Sequence, residues 1–232
     1  MKESKNLEKN IFIVIAAYNE EKKIKNVLFD LKKHNYKNII VVDDGSKDNT
    51  YEVAIKEKVI VLRHIINRGQ GAALKTGIDF AIKKKASIII TFDADGQFLS
   101  SDIERMIQPI IKNEADITLG SRFLGKAINI PFLKKLTLKL GIIVVFFLYG
   151  IKVSDSQCGF RAFTLETAKK INILSDRMEH AGDFFSEIIR NKLRYKEVPI
   201  TVIYSKYSLL KGQSWDKSII LGLKMLFRKF LK

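Results

Sequence analysis

The sequence contains one cysteine, Cys158, in 232 residues. A lone thiol excludes an internal disulfide and fits a reducing compartment. Repeats and low-complexity tracts are also missing, which leaves a globular composition of 47% hydrophobic and 28% charged residues. The first ten residues, MKESKNLEKN, hold no apolar core, so no signal peptide is expected there. Long apolar runs are absent too. The richest stretch, Leu136 to Gly150, includes Lys139 and falls short of the ~20 residues a membrane-spanning helix requires. Acidic side chains are in deficit, 25 Asp and Glu against 41 Lys and Arg, for a formal net charge of +16. That balance favours anionic partners such as nucleotides, phospholipid headgroups or nucleic acid. Nucleic acid is disfavoured, because the aromatic residues sit inside apolar runs and are not interleaved with lysines on one face.

What is present fits one α/β domain over residues 1–214, followed by a basic amphipathic helix over 215–232. The chain is organised around SIIITFDADGQ, residues 87–97. Ile88 to Thr91 read as a strand buried on both faces, since no polar position alternates with them. Asp93 and Asp95 then fall at its carboxyl end, the edge of a parallel sheet where ligands bind. Residues two apart in extended chain point the same way, so both carboxylates address one small volume. Like charges so close favour a cation beside them, and Mg²⁺ or Mn²⁺ held by one or two carboxylates plus substrate phosphates answers that need. The plainer alternative is a structural loop with an Asx-turn closed by Gly96.

The same arrangement of apolar run, polar strand end and amphipathic helix recurs along the chain. Ile11 to Ala17 is a first strand, ending at Tyr18-Asn19-Glu20 before a helix that carries Ile24, Val27, Leu28 and Leu31 on one face. Asn38 to Val42 is a second strand, ending in Asp43-Asp44. Val59 to Leu62 is a third, followed by Asn67-Arg68-Gly69-Gln70-Gly71 and a helix to about Lys84. Those glycines permit close backbone approach at a helix N-terminus, which suits an anion as well as tight packing. Three β-α units ahead of the central strand predict a doubly wound, mostly parallel sheet. Beyond it come a helix from about Ser101 to Asn113, a strand from Ala115 to Leu119, and a Lys-rich then apolar segment after Pro131. That segment suits a core helix or one lying at a membrane interface. Asp155 to Phe163 reads as a loop feeding an edge strand, Asp176 to Leu193 as a helix start and helix, Tyr195 to Tyr204 as a last strand, and Lys206 to Ser214 as a flexible basic loop. The final helix, 215–232, sets apolar against basic residues and suits a membrane surface or docking onto its own domain.

AAYNE, VVDDGS, NRGQGAA, DADGQ, GSRF and DSQCGFRAF, in this order and spacing, resemble the inverting family 2 glycosyltransferases of the GT-A fold. The similarity is to the branch of dolichyl-phosphate mannose synthase and bacterial polyprenyl-phosphate sugar transferases, and it spans Ile11 to Ser214. It implies a GT-A architecture and sugar transfer from a nucleoside diphosphate sugar, a UDP- or GDP-sugar, to a polyprenyl phosphate or lipid-linked glycan. The location implied is the cytoplasmic face of the plasma membrane, with peripheral contact. By position, Ala17, Tyr18, Glu20, Val42, Asp44 and Arg68 border the nucleotide. Asp93 and Asp95 hold the metal and diphosphate, and Ala94 and Gln97 lie beside them. Arg122 and Arg161 face donor or acceptor phosphates. An anionic acceptor needs no strong base, whereas a hydroxyl acceptor does, with Glu179 and Asp183 as candidates and His180 as a further one. The family's proline before Ala-Tyr-Asn-Glu is Ala16 here, and an arginine that often follows its last strand has only Lys206 or Lys211 as counterpart. The tail KYSLLKGQS is closer to transferases of surface polysaccharides, so a soluble or cell-surface glycan acceptor is the alternative. A catalytically silent nucleotide-sugar or nucleic-acid-binding module is a further reading, suggested by charge alone.

Overall fold

The computed structural model describes residues 10–211. Seven strands form one sheet: β1 (Ile11–Ala17), β2 (Asn38–Asp43), β3 (Ile60–Arg63), β4 (Ile88–Asp93), β5 (Ile117–Ile128), β6 (Arg161–Thr164) and β7 (Tyr195–Ile203). Their order across the sheet is β3-β2-β1-β4-β6-β5-β7. β1 pairs in parallel with β2 and β4, β2 with β3, and β5 with β7, while β6 runs antiparallel to β4 and β5. The expected mostly parallel sheet is therefore present.

Because successive side chains alternate between faces, each central strand feeds two cores. Ile13, Ile15, Ile39, Val41, Ile88 and Ile90 point to one side, against α1 (Ile24–Lys33) and α4 (Asp102–Ile111). Phe12, Val14, Ile40, Val42 and Ile89 point to the other, against α3 (Gln70–Lys83) and α7 (His180–Arg190). The unbroken apolar runs follow from this arrangement, since neither face of these strands meets water. Three further helices complete the early and middle chain: α2 (Thr50–Lys56), α5 (Phe132–Tyr149) and α6 (Leu165–Lys170).

Three expectations need correction. Residues 161–164 are not an edge strand, because β6 is wedged between β4 and β5 with partners on both sides. The strand expected to stop at Leu119 runs to Ile128, so Gly120, Ser121 and Arg122 are strand residues. Its pairing with β7 shifts register between Ser121 and Lys126, a bulge that re-aims the side chains there. The stretch expected as a basic loop is helical over its first part, α8 (Lys206–Lys211). The helix expected over 215–232 lies outside the described residues.

Candidate active site

The carboxyl ends of β1, β2 and β4 open onto a cavity of about 480 Å³. Ala16, Ala17, Tyr18 and Glu20 come from the end of β1, Asp44 from the end of β2, and Asp93, Ala94, Asp95 and Gln97 from the end of β4. β5 adds Arg122, and α5 adds Lys134 and Leu138. Eight of these nine strand-end residues, all but Ala16, were expected from sequence, together with Arg122.

Asp93 and Asp95 sit side by side as predicted. Gln70 donates its amide to Asp93 Oδ1 at 3.2 Å. Gln97 donates to Asp95 twice, from its main chain at 3.0 Å and its side chain at 2.7 Å. The main-chain contact is an Asx-turn, so the plainer structural reading and the functional one hold together at the same residue. Burial, followed by the charge of Asp95, pushes the Asp93 carboxyl up to about 7, with Arg161 and Arg122 opposing the shift. Burial likewise raises Asp95. Gly159 leans on this pair. A Cβ there would lie 2.9 and 3.0 Å from the two Asp93 oxygens, and the Thr91 hydroxyl holds the segment in place by donating to Gly159 O at 2.6 Å.

These residues fit a divalent cation. Two hard carboxylates share one desolvated corner, their joint ionisation is costly without added positive charge, and glycine leaves the approach to Asp93 free. Among the described residues no cluster of three or more His, Cys, Asp or Glu could hold an ion alone. Two protein carboxylates with substrate phosphates making up the rest is the usual magnesium arrangement.

Asp44 is held rigidly. It accepts the main-chain N–H of Arg68 at 3.0 Å and of Gly69 at 2.7 Å, and its Oδ1 lies 2.7 Å from His64 Nδ1. Arg68 thus serves the site through its backbone, while its exposed guanidinium lies 3.6 Å from Asp176 and does not line the cavity. Val42 is also off the cavity, its side chain packed in the core against Gly77.

Arg122 and Arg161 part company. Arg122 reaches the cavity wall while its Nε donates to Asp155 Oδ2 at 2.5 Å and its Nη1 to the Tyr204 hydroxyl. Burial works against its charge, but Asp155, backed by Cys158 and Tyr204, outweighs burial and keeps the guanidinium protonated. Arg161 is fully buried, lies 4.3 Å from the centre of the Phe184 ring, and does not line the cavity. Burial lowers its pKa and the Asp93 charge counters that, so Arg161 is a countercharge behind the aspartate and not a contact for a phosphate in the cavity.

Glu179 and Asp183 stand apart from the cavity lining. Asp183 accepts the N–H groups of Leu174 and Ser175 at 3.0 and 2.7 Å, which fixes the turn ahead of α7. His180 is buried, its ionisation pushed down to about 4 by burial and by Arg161, so it is neutral at neutral pH.

The glycine turn is used for close packing. A Cβ on Gly69 would meet Asp176 O at 2.4 Å, and one on Gly71 would meet Ser175 O at 2.0 Å. Ala72 N–H donates to Asp176 O at 3.0 Å. Carbonyls of the turn before α7 therefore pack against the start of α3, the tight-packing use of the two that the glycines suited. Gly71→Ala should overpack this contact and cost ~1–3 kcal/mol, read as a lower urea midpoint with unchanged slope. Sequence reasoning missed Gln70, Lys134, Leu138, Gln157 and Met178, all cavity-lining. Only Gln70 and Gln157 lay inside motifs already singled out.

A doubly wound sheet with an Asp-x-Asp pair and a nucleotide-sized cavity at its carboxyl edge defines a GT-A glycosyltransferase. The chain belongs to glycosyl transferase family 2, whose model matches residues 12–171. It is 45% identical over 227 residues to an uncharacterized protein of Methanocaldococcus jannaschii, covering 96% of this chain and 91% of that one. It is 40% identical over 244 residues to the UDP-N-acetylglucosamine–dolichyl-phosphate N-acetylglucosaminyltransferase of Methanococcus voltae, covering 95% of each. In fold it is similar to glucosyl-3-phosphoglycerate synthase of Mycobacterium tuberculosis, solved with Mn²⁺, UDP and phosphoglyceric acid. The TM-score is 0.71 at 16% identity, over 98% of this chain and 81% of that one.

Proposed function

We propose that this glycosyltransferase moves a hexose or N-acetylhexosamine from a nucleoside diphosphate sugar, a UDP-sugar foremost, to a polyprenyl phosphate, inverting the anomeric carbon. One observation carries the reading: the cavity is acidic at the strand ends and cationic and apolar opposite, where Arg122, Lys134 and Leu138 line it. The carboxylates once considered as bases lie elsewhere. An acceptor whose oxygen is already anionic suits such a wall, because it needs cations to receive it and no residue to take a proton. The Methanococcus voltae relative, which carries a dolichyl phosphate acceptor in its name, supports the same choice.

Asp93 and Asp95 are the residues that would hold Mg²⁺ or Mn²⁺, and the bound ion would neutralise charge developing on the departing diphosphate. Ala17, Tyr18, Glu20 and Asp44 are placed to receive the nucleoside, with Ala94 and Gln97 at the diphosphate end. Arg122, kept charged by Asp155, is set to steady the incoming phosphate while its oxygen attacks from the face opposite the leaving group.

A peripheral position at the cytoplasmic membrane face fits α5. Phe132, Leu133, Leu136, Leu140, Ile143 and Phe147 are exposed along it, beside Lys135 and Lys139. A basic, apolar helix face of this kind suits an anionic lipid surface. Among the described residues no helix is long and apolar enough to cross a membrane.

The test offers UDP- and GDP-sugars, with Mn²⁺ or Mg²⁺, to polyprenyl phosphate in lipid vesicles and to soluble glycans. Release of UDP dependent on the lipid phosphate, with the opposite anomeric configuration in the product, is the expected result. Equal turnover with soluble glycans and none with lipid phosphate would sink the acceptor assignment.

A further inference from the structure

His64 lies just ahead of the Asn67-Arg68-Gly69-Gln70-Gly71 turn and does not line the cavity, yet the sheet delivers it to a residue that does. The pairing of β2 with β3 sets Asp43 opposite Arg63, and the His64 main-chain N–H donates to Asp43 O at 2.9 Å, carrying the ladder one residue past the strand end. Side chains then alternate in step. Asp43 and Arg63 meet on one face, with Arg63 Nε 3.1 Å from Asp43 Oδ2, so Asp44 and His64 come together on the other, which α3 covers.

The imidazole is clamped at both nitrogens. Nδ1 lies 2.7 Å from Asp44 Oδ1, and since a carboxylate can only accept, this nitrogen carries the proton. Nε2 lies 3.0 Å from Thr76 Oγ1, which is anchored in turn within α3 by donating to Ala72 O at 3.0 Å. With 11% of its side chain exposed, the ring has little room to turn away. The effect on Asp44 follows from its lone pairs, about four on two oxygens. Oδ1 is filled by His64 Nδ1 and the Arg68 N–H, while Oδ2 takes the Gly69 N–H and keeps one place. Of these three partners two come from a surface turn, and His64 alone is tied to the sheet by its own backbone bond.

We infer that His64 is a positioning residue for the donor: through Nδ1 it holds Asp44 in the orientation that keeps the open place on Oδ2 for the nucleoside, without touching the donor itself. This rests on the donor reading above, which places Asp44 at the nucleoside, and adds a residue to it. Without the imidazole the carboxylate is free to turn about its own Cβ–Cγ bond, and the nucleoside then has to restrain it.

Two amide side chains separate the two ring nitrogens. Asparagine sets its amide nitrogen as many bonds from the backbone as Nδ1, whereas glutamine reaches the place of Nε2. His64→Ala should weaken uridine and UDP by the same factor, about tenfold, the scale of a hydrogen bond to a charged group. It should raise KM for the sugar donor and hold kcat within about twofold, as loss of binding shared by ground and transition states requires. His64→Asn should restore most of the affinity and His64→Gln little. Uridine is titrated by NMR and UDP by calorimetry against the full chain with Mn²⁺, with guanosine and GDP in their place if the native chain binds GDP alone. Equal recovery by asparagine and glutamine would mean packing and overturn the proposal, as would a weaker diphosphate with the nucleoside unchanged, or a fall in kcat at constant KM. Should the variants fail to fold, the native chain decides. Its ring ¹⁵N spectrum should show His64 protonated at Nδ1, with signals that move as the nucleoside saturates the site, and signals unmoved by bound nucleoside overturn the assignment. If the native chain binds neither UDP nor GDP, the donor reading falls first and this inference with it.

Discussion

Asp93→Asn should lower sugar transfer by about a thousandfold or more, since it removes one of two anionic groups set against the metal and diphosphate, yet leave a protein that is more stable than the parent at neutral pH. The activity arm follows from position. The stability arm follows from proton linkage. Folding raises the Asp93 carboxyl from 3.8 to about 7, so the folded chain binds that proton more tightly than the unfolded one. Its favourable contribution is complete below about pH 4 and is lost as pH rises through about 7. Asparagine has the shape without the titration. In a chelator-containing buffer, the melting temperature of the parent should therefore fall relative to the variant between about pH 4 and 7, and stay lower above that range. Mn²⁺ should then raise the parent's melting temperature by mass action and leave the variant's nearly unmoved. Parent and variant responding alike to Mn²⁺ would remove Asp93 from the metal site.

Arg122→Met is expected to be the most destabilising single change among the polar cavity residues, at ~3–5 kcal/mol, because it strands a buried carboxylate without its partner. Asp155 is almost completely buried. Besides the Arg122 guanidinium, its side-chain oxygens accept main-chain N–H groups of Arg122 and Gln157 at 3.1 and 3.2 Å. The segment is fixed from below by Glu197, whose Oε1 accepts the Ser154 N–H at 2.7 Å. Adding Asp155→Asn to the methionine variant should recover much of the lost stability, since the stranded charge is gone, but none of the transfer activity. Urea unfolding of both single variants and the double variant gives the coupling energy, and turnover measured on the same set separates the structural from the catalytic part. Additive stabilities, or activity returning with the fold, would contradict the role assigned to Arg122.

The central strands were legible because their physics is local. Ile11–Ala17 and Ile88–Asp93 are apolar without alternation, which is what burial between two helical layers demands, and the carboxylates at their ends followed at once. β6 was legible as a strand but not as an interior one. Four residues carry no record of which neighbours they will join, and its antiparallel pairing depends on strands more than thirty residues away in one case and seventy in the other. The same limit hid the divergence of the two arginines. Alternation puts Arg161 in a strand, yet only the finished sheet decides that it faces Phe184 and not the cavity. The glycines at positions 69 and 71 signalled close approach correctly, but the partner turned out to be a carbonyl turn from a distant segment. Lys134 and Leu138 were out of reach for a similar reason: helical periodicity in α5 separates faces, and says nothing of which turn of the helix borders the cavity.

The wedged position of β6 also sets an order of events. As the chain leaves the ribosome, β4 is finished at Asp93 while the edge it will share with Arg161 stays bare until about seventy further residues have followed. In the sheet the half β3-β2-β1-β4 is joined to β5, and through β5 to the later strand β7, by that short strand. Joining them is a long-range closure of the slow kind, and Gly159 and Arg161 reach Asp93 only when it occurs. Catalytic competence thus waits on β6 entering the sheet, and half-made chains carry the aspartates without the surroundings that make them useful.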